Sequence, residues 1–194
     1  MKNMTRLTLA GFFLALGLVL PFFTGQIPEI GSALLPMHIP VIICGFICGW
    51  KYGLLVGFLS PLLRNLLFAM PPINVALAMA FELAAYGAVT GILYQKLPKS
   101  KLKIYLSLLP ALVAGRLIWG AVSIVIYGLG DTPFTWQMFI AGALLNAIPG
   151  IILQIVLIPL LMIALEKSGA INYNDQYFTT TCRTLSKNAD KRCS

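Results

Sequence analysis

The chain has 194 residues, of which 59% are apolar and only 10% are charged, and its mean hydropathy is +0.88. Soluble domains contain about 45–50% apolar and about 25% charged residues, so this composition is typical of an integral membrane protein. It excludes a cytosolic enzyme, a nucleic-acid-binding protein and a disordered scaffold. The net charge of +8 therefore needs an explanation other than nucleic-acid binding.

Six apolar segments are separated by polar or proline-containing breaks, and each is expected to form a membrane helix. They run over about Leu7–Phe23, Leu35–Gly49, Tyr52–Phe68, Asn74–Tyr94, Ile104–Leu129 and Trp136–Leu165. The second and third are short for straight crossings, so we expect one of them to be broken, tilted or shielded by protein. The predicted fold class is an all-α, integral membrane six-helix bundle.

The basic residues outside the segment interiors all fall on one side of this bundle. They are Lys2, Arg6, Lys51, Lys96, Lys99, Lys101, Lys103, Lys167, Arg183, Lys187, Lys191 and Arg192. Loops on the other side carry Glu29 and Asp131 instead. The positive-inside rule therefore predicts a plasma-membrane protein with both termini in the cytoplasm, and it accounts for the basic excess.

Two further features limit the chemistry. His38 is the single histidine of the chain, and Cys44 and Cys48 lie in an apolar segment where buried thiols are ordinary packing residues, so neither a metal site nor a cofactor is expected. The chain also lacks the G-x-x-x-x-G-K-[ST] motif that binds nucleotide phosphates. Residues 169–194 are polar and rich in Thr and Lys, and are predicted to be a disordered tail after a domain of residues 1–168.

Ionisable residues inside the segments are the first candidates for function, because a charge at the bilayer centre costs about 2.5–3.5 kcal/mol. Only Arg64, Glu82 and Arg116 qualify. They fall in the outer half or the middle of their segments, which predicts a pocket that opens outward. The alternative is that Glu82 and Arg116 form a purely structural ion pair.

Polar and aromatic residues share helix faces with these ions. On the fifth segment a stripe at helical spacing falls within an arc of roughly 80°, and the fourth and sixth segments carry polar faces of their own, the latter with Asn146 and Gln154. Apolar walls with a few converging polar groups are typical of ligand sites. The candidate binding residues are His38, Arg64, Asn65, Asn74, Glu82, Tyr86, Arg116, Trp119, Ser123, Tyr127 and Asn146.

Several stretches resemble one family of membrane proteins. A short basic N-terminus leads into the first segment, and LLPMHIPVIICGFICGWKYG, LLVGFLSPLLRNLLF and AMAFELAAYGAVTGILY follow. Over about residues 5–168 the chain resembles the substrate-binding S components of energy-coupling factor (ECF) transporters. The resemblance implies a six-helix vitamin binder with an outer pocket, which works with a membrane coupling subunit and two ATPase subunits.

The resemblance also suggests a docking surface and a ligand class. Family members often carry an Ala-x-x-x-Ala contact for the coupling subunit on the first helix, and the matching residues here are Gly11 and Ala15. Two arginines and a histidine indicate an anionic or carboxylate-bearing ligand, and LPMHIP and MAFELAAYG are similar to pantothenate-type members. Pyridoxine-like, pyrimidine, cobalamin-precursor and queuosine-precursor ligands stay open.

Three other functions compete with this hypothesis. A stand-alone proton-coupled carrier would use Glu82 as its titrating group and need no ATPase. A structural membrane assembly subunit would bind no small molecule. An intramembrane enzyme is the weakest candidate, because neither a metal cluster nor a nucleophile paired with a base is evident.

Overall fold

The computed structural model describes residues 3–23, 36–97, 102–128 and 148–167, and every regular element in these ranges is a helix. The helices are α1 (Asn3–Phe23), α2 (His38–Cys48), α3 (Trp50–Phe68), α4 (Ile73–Lys96), α5 (Lys103–Gly128) and α6 (Ile148–Lys167). They confirm an all-helical chain built from the six predicted segments. The start of the sixth segment, the predicted tail and Asn146 lie outside the described residues.

Among the described residues, three helices are long and apolar enough to cross a membrane, over Met4–Phe22, Ile73–Lys96 and Lys103–Tyr127. The outward faces of the bundle are apolar as well: Leu117 and Val125 on α5 and Val156 on α6 are each more than 60% exposed. Exposed apolar side chains of this size are favourable in contact with lipid tails. These features agree with the membrane location that the composition predicts.

The second helix is enclosed by the others. With 11 residues it extends only about 16 Å, too short for the hydrocarbon core, and every one of its residues is buried. It packs against α1, α3 and α4, and its contacts with α6 complete the enclosure. The expectation that a short segment is shielded by protein is therefore confirmed for α2.

A glycine separates α2 from α3. Gly49 has φ +93°, a backbone conformation that L side chains rarely adopt, and a Cβ atom there would lie 2.8 Å from Nε2 of Gln95. The chain therefore turns sharply within one residue, and Trp50 begins the next helix. This turn makes two short helices of an apolar stretch that is otherwise nearly continuous.

Small residues bring α3 and α4 into backbone contact. A Cβ atom on Gly87 would overlap the carbonyl of Gly53, one on Gly57 would overlap the carbonyl of Leu83, and one on Gly91 would lie 2.5 Å from the backbone nitrogen of Trp50. The glycine pairs spaced four apart on these helices therefore serve internal packing. This close crossing fixes α4, the helix that carries Glu82.

The matching spacing on α1 has a different environment. Gly11 and Ala15 are both exposed, and a Cβ atom on Gly11 would meet nothing within 4 Å. The inner side of α1 instead buries Phe13 and Gly17, and Gly17 lies against Ser60 of α3. The small residues of α1 thus leave a flat, open strip on the outside of the described bundle.

Candidate ligand-binding site around Glu82

Glu82 stands at the centre of a buried polar cluster formed by three helices. Its side chain is 2% exposed, and its Oε1 atom accepts a hydrogen bond of 2.8 Å from the Tyr86 hydroxyl. Nη1 of Arg116, on α5, lies 3.1 Å from the same oxygen, and Nε2 of His38, on α2, lies 3.7 Å from it. One carboxylate oxygen therefore joins α2, α4 and α5.

Local sequence explains how these side chains meet. Glu82 and Tyr86 are four residues apart on α4, so they lie on one face one turn apart. Gly115 lets α5 approach the Tyr86 ring, since a Cβ atom there would overlap the ring, and the next residue is Arg116. His38 begins α2, and its ring centroid is 5.2 Å from that of Tyr86.

The cluster combines charge with burial. A carboxylate removed from water is costly unless a cation and hydrogen bonds compensate it, and Arg116 and Tyr86 supply both. Removal of either charged partner would leave the other without compensation in a low-dielectric environment. The pair predicted from the sequence therefore exists, and it makes this region of the bundle sensitive to substitution.

Besides Nε of Arg6 on α1, a group of buried polar atoms on α2, α5 and α6 has no hydrogen-bond partner among the described residues. These buried atoms are Nδ1 and Nε2 of His38, Nε and Nη2 of Arg116, Oγ of Ser123, and Oε1 and Nε2 of Gln154. Buried polar groups are almost always paired, and each one left unpaired costs about 1–3 kcal/mol. Ordered water or a polar ligand supplies the partners of such groups.

Gln154 is a buried polar residue that is not among the candidate binding residues predicted from the sequence. It shares a predicted helix face with Asn146, yet only Asn146 is among the candidates, and Asn146 lies outside the described residues. The structure buries Gln154 completely on α6. A polar amide in the middle of an otherwise apolar helix is the sequence signal that identifies it.

Arg64 does not join the cluster. Its Nη1 atom donates a hydrogen bond of 3.1 Å to the carbonyl oxygen of Leu18 on α1. Its guanidinium carbon lies 5.4 Å from the ring centroid of Phe22 and 6.0 Å from that of Phe68. Arg64 thus connects α3 to α1 through the Leu18 carbonyl and the Phe22 ring, and it also packs near Phe68 on its own helix.

The other candidates lie around the turn between α3 and α4 and along the second half of α5. Asn65 donates a hydrogen bond of 2.6 Å to the carbonyl of Pro71, which fastens the turn between α3 and α4. Asn74 is the second residue of α4 and is exposed, because it precedes the packed part of that helix. On α5, Ser123 is buried, whereas Trp119 and Tyr127 are half-buried.

The chemistry within reach of this cluster is recognition. Among the described residues no three His, Cys, Asp or Glu side chains come together in an arrangement that holds a metal ion. The buried groups instead offer hydrogen-bond donors and acceptors within a bundle of apolar walls. Buried charged and polar groups between apolar helices are typical of membrane helical bundles that recognise a small molecule.

The family follows from a direct comparison. The family model of the ECF transporter, substrate-specific component, matches residues 5–162. The chain therefore belongs to this family, which confirms the resemblance of its sequence motifs and makes it a subunit of a membrane transporter rather than a member of an enzyme family. Comparisons with curated proteins and with solved structures gave no match.

Proposed function

We propose that this chain captures a small polar molecule outside the cell, binds it at the Glu82 cluster and delivers it inward as the substrate-specific subunit of an ECF importer. In this proposal both termini are cytoplasmic and the pocket faces outward. A membrane coupling subunit and two ATPase subunits supply the energy, because the sequence offers no nucleotide-binding motif of its own.

One observation carries the proposal, namely the unpaired buried atoms on α2, α5 and α6 around the Glu82–Arg116 pair. A polar ligand bound there would give these donors and acceptors the partners that buried polar groups require. The position of Glu82 along α4 is also suitable for a pocket that opens outward. It lies nine residues after the start of α4, about 14 Å from the end that the topology assigns to the outside.

The exposed strip on α1 is a suitable contact surface for the coupling subunit. Gly11 and Ala15 leave space next to the helix backbone, which lets a second helix approach closely. We therefore propose that these two residues contact the coupling subunit. The tail after residue 168 takes no part in this arrangement, so a chain that ends there retains binding and transport.

The proposed ligand is a vitamin or a related micronutrient. The motifs shared with pantothenate-type members make pantothenate-like molecules the first to be tested. The candidate residues divide accordingly: those around Glu82 contact the ligand, and Trp119 and Tyr127 supply apolar walls nearer the outside. Asn146 is retained in the proposal as a contact from the sixth segment.

A second function has a specific observation in its favour. Glu82 is buried with His38 nearby, at 3.7 Å between Nε2 and Oε1, and such a pair is able to exchange protons during transport. A stand-alone proton-coupled carrier would use this pair directly. It would accumulate substrate without any ATPase.

Two measurements test the proposal. The purified protein should retain a metabolite that mass spectrometry identifies after denaturation, and calorimetric titration should show that this metabolite binds without ATP. Cells that lack the coupling module should fail to accumulate it although they produce this chain. Accumulation in proteoliposomes that contain only this chain and a proton gradient would instead support the carrier, and the absence of any bound molecule would support a structural subunit.

A further inference from the structure

The charges in the Glu82 cluster already balance. Among the described residues that carry a permanent positive charge, only Arg116 contacts Glu82. Its Nη1 atom lies 3.1 Å from the carboxylate. Arg64, the second arginine of the candidate set, contacts Leu18 and two phenylalanine rings on the α1 side. Glu82 and Arg116 therefore balance each other, and this pair offers no net charge to an anion.

The hydrogen-bonding capacity that remains is substantial and specific. Nε and Nη2 form one edge of the Arg116 guanidinium, and both are buried without a partner. Gln154 leaves a donor and an acceptor unused, and the Ser123 hydroxyl is also unpaired. These groups match a planar carbonyl at the arginine edge and an amide-type group beside the glutamine.

The spacing of Arg116 and Ser123 along α5 indicates the length of the ligand. Ser123 lies seven residues beyond Arg116 on the same helix face, which corresponds to about 10 Å along the axis. A ligand that reaches from the guanidinium edge to this hydroxyl therefore carries polar groups at both of its ends. Ser123 is the outer of the two contacts in the proposed orientation.

We infer that the ligand is uncharged where it meets Arg116 and presents there a carbonyl of the amide, lactam or ureide type. This inference rests on the proposed function and narrows its substrate class. It also differs from the anionic ligand that the arginine count of the sequence indicates, because Glu82 neutralises one arginine and the other lies elsewhere.

A ligand carboxylate at the same edge would be the second anion next to a single guanidinium. Both carboxylates would be removed from water, and their mutual repulsion would oppose the attraction to Arg116. The nearest further cation on α5 is Lys103, thirteen residues away, or about 20 Å along the helix, and it lies against the Tyr94 ring. On α5, no described cation other than Arg116 is therefore in reach to compensate a second negative charge.

The test compares molecules that differ only in this charge. The full chain, purified in detergent, is titrated with nicotinate and nicotinamide, biotin and biotin amide, lipoate and lipoamide, and pantothenate and its primary amide. The metabolite released from the protein and its carboxylate or amide counterpart form a fifth pair. We expect the uncharged member of the binding pair to bind at least as tightly as the carboxylate.

The Glu82→Gln variant gives a second, opposite expectation. Without the carboxylate the Arg116 charge is uncompensated, so the preference should shift toward the anionic member by about tenfold or more. Lys96→Gln, which changes one exposed charge at the far end of the same helix, is the matched control and should shift nothing. If Glu82→Gln does not fold, the comparison of the pairs on the unmodified protein is sufficient.

The outcomes separate this inference from the function on which it rests. A carboxylate that binds about tenfold or more tightly than its uncharged partner overturns the inference and leaves the transporter function in place. An unchanged preference in folded Glu82→Gln also contradicts it. If the folded protein releases no metabolite and binds no member of any pair, the proposed function fails, and the inference fails with it.

Discussion

Arg64, which is buried, and Arg116, which is half-buried, show how differently the same residue is used in this bundle. Arg64 joins α3 to α1, where a backbone carbonyl at 3.1 Å and the rings of Phe22 and Phe68 surround its guanidinium. Arg116 joins α5 to α4, where one nitrogen meets Glu82 at 3.1 Å and two others have no described partner. The first arginine is accommodated by the fold, and the second has donors left for another molecule.

The difference teaches that an intramembrane charge is not by itself a binding site. Both arginines carry the same insertion cost and both lie among apolar residues. They are distinguished by the partners of each N–H group, which depend on neighbours distant in the sequence. The predictions below test whether this distinction holds, beginning with the largest expected effect.

Arg116→Ala should have the largest effect, because it leaves the Glu82 carboxylate buried without its cation. We expect a loss on the order of 2–5 kcal/mol, seen as a lower unfolding temperature and as loss of ligand binding in calorimetric titration. The double variant with Glu82→Gln separates the two roles of Arg116. It should restore folding but not binding, and full recovery of binding would remove Arg116 from the site.

Arg64→Met should lower stability without reaching the Glu82 cluster. The substitution keeps an unbranched side chain but removes the hydrogen bond to Leu18 and the contacts with two rings, an effect of about 2–3 kcal/mol on unfolding. Affinity for the co-purified ligand should stay within about threefold. The sequence hypothesis that Arg64 contacts the ligand predicts the reverse, namely intact folding and weak binding, so one titration distinguishes them.

Tyr86→Phe should have a smaller effect on the Glu82 cluster. It removes the hydroxyl that donates to Glu82 at 2.8 Å but keeps the ring that packs on Gly115. The carboxylate still has Arg116, so the expected loss of stability is about 1.5 kcal/mol by thermal unfolding. A loss as large as that of Arg116→Ala would mean that the hydroxyl, and not the guanidinium, is the main partner of Glu82.

Much of the fold could be predicted from the sequence, since membrane helices depend on local composition. Six apolar segments gave six helices, and the short second segment is shielded as expected because α2 lies inside the bundle. The Glu82–Arg116 pair could also be predicted, because two opposite charges in an apolar chain have few other partners. These inferences require only residue types and their order.

The division of roles among similar residues could not be predicted in this way. Whether Arg64 faces the cluster or α1 depends on how far α3 is rotated, and the glycine contacts with α4 fix that rotation. The sequence marks Gln154 as a polar amide in an apolar helix, but it does not show whether that amide is buried. Its complete burial gives it weight, and burial follows from the packing of the whole bundle.

The smallest effect on stability is expected for Gly11→Leu, which extends the comparison from arginines to glycines. The side chain enters open space on α1, so the unfolding temperature and ligand affinity should be unchanged or slightly higher, since leucine favours helix over glycine by up to about 1 kcal/mol. Assembly with the coupling subunit, measured by co-purification, should be lost because the new side chain separates the two helices. Phe12→Leu, at an exposed position beside it, should leave assembly intact. Gly57→Leu places the same residue against the Leu83 carbonyl and should prevent folding. If Gly11→Leu assembles normally, the open strip on α1 faces lipid, and the coupling subunit must use another surface.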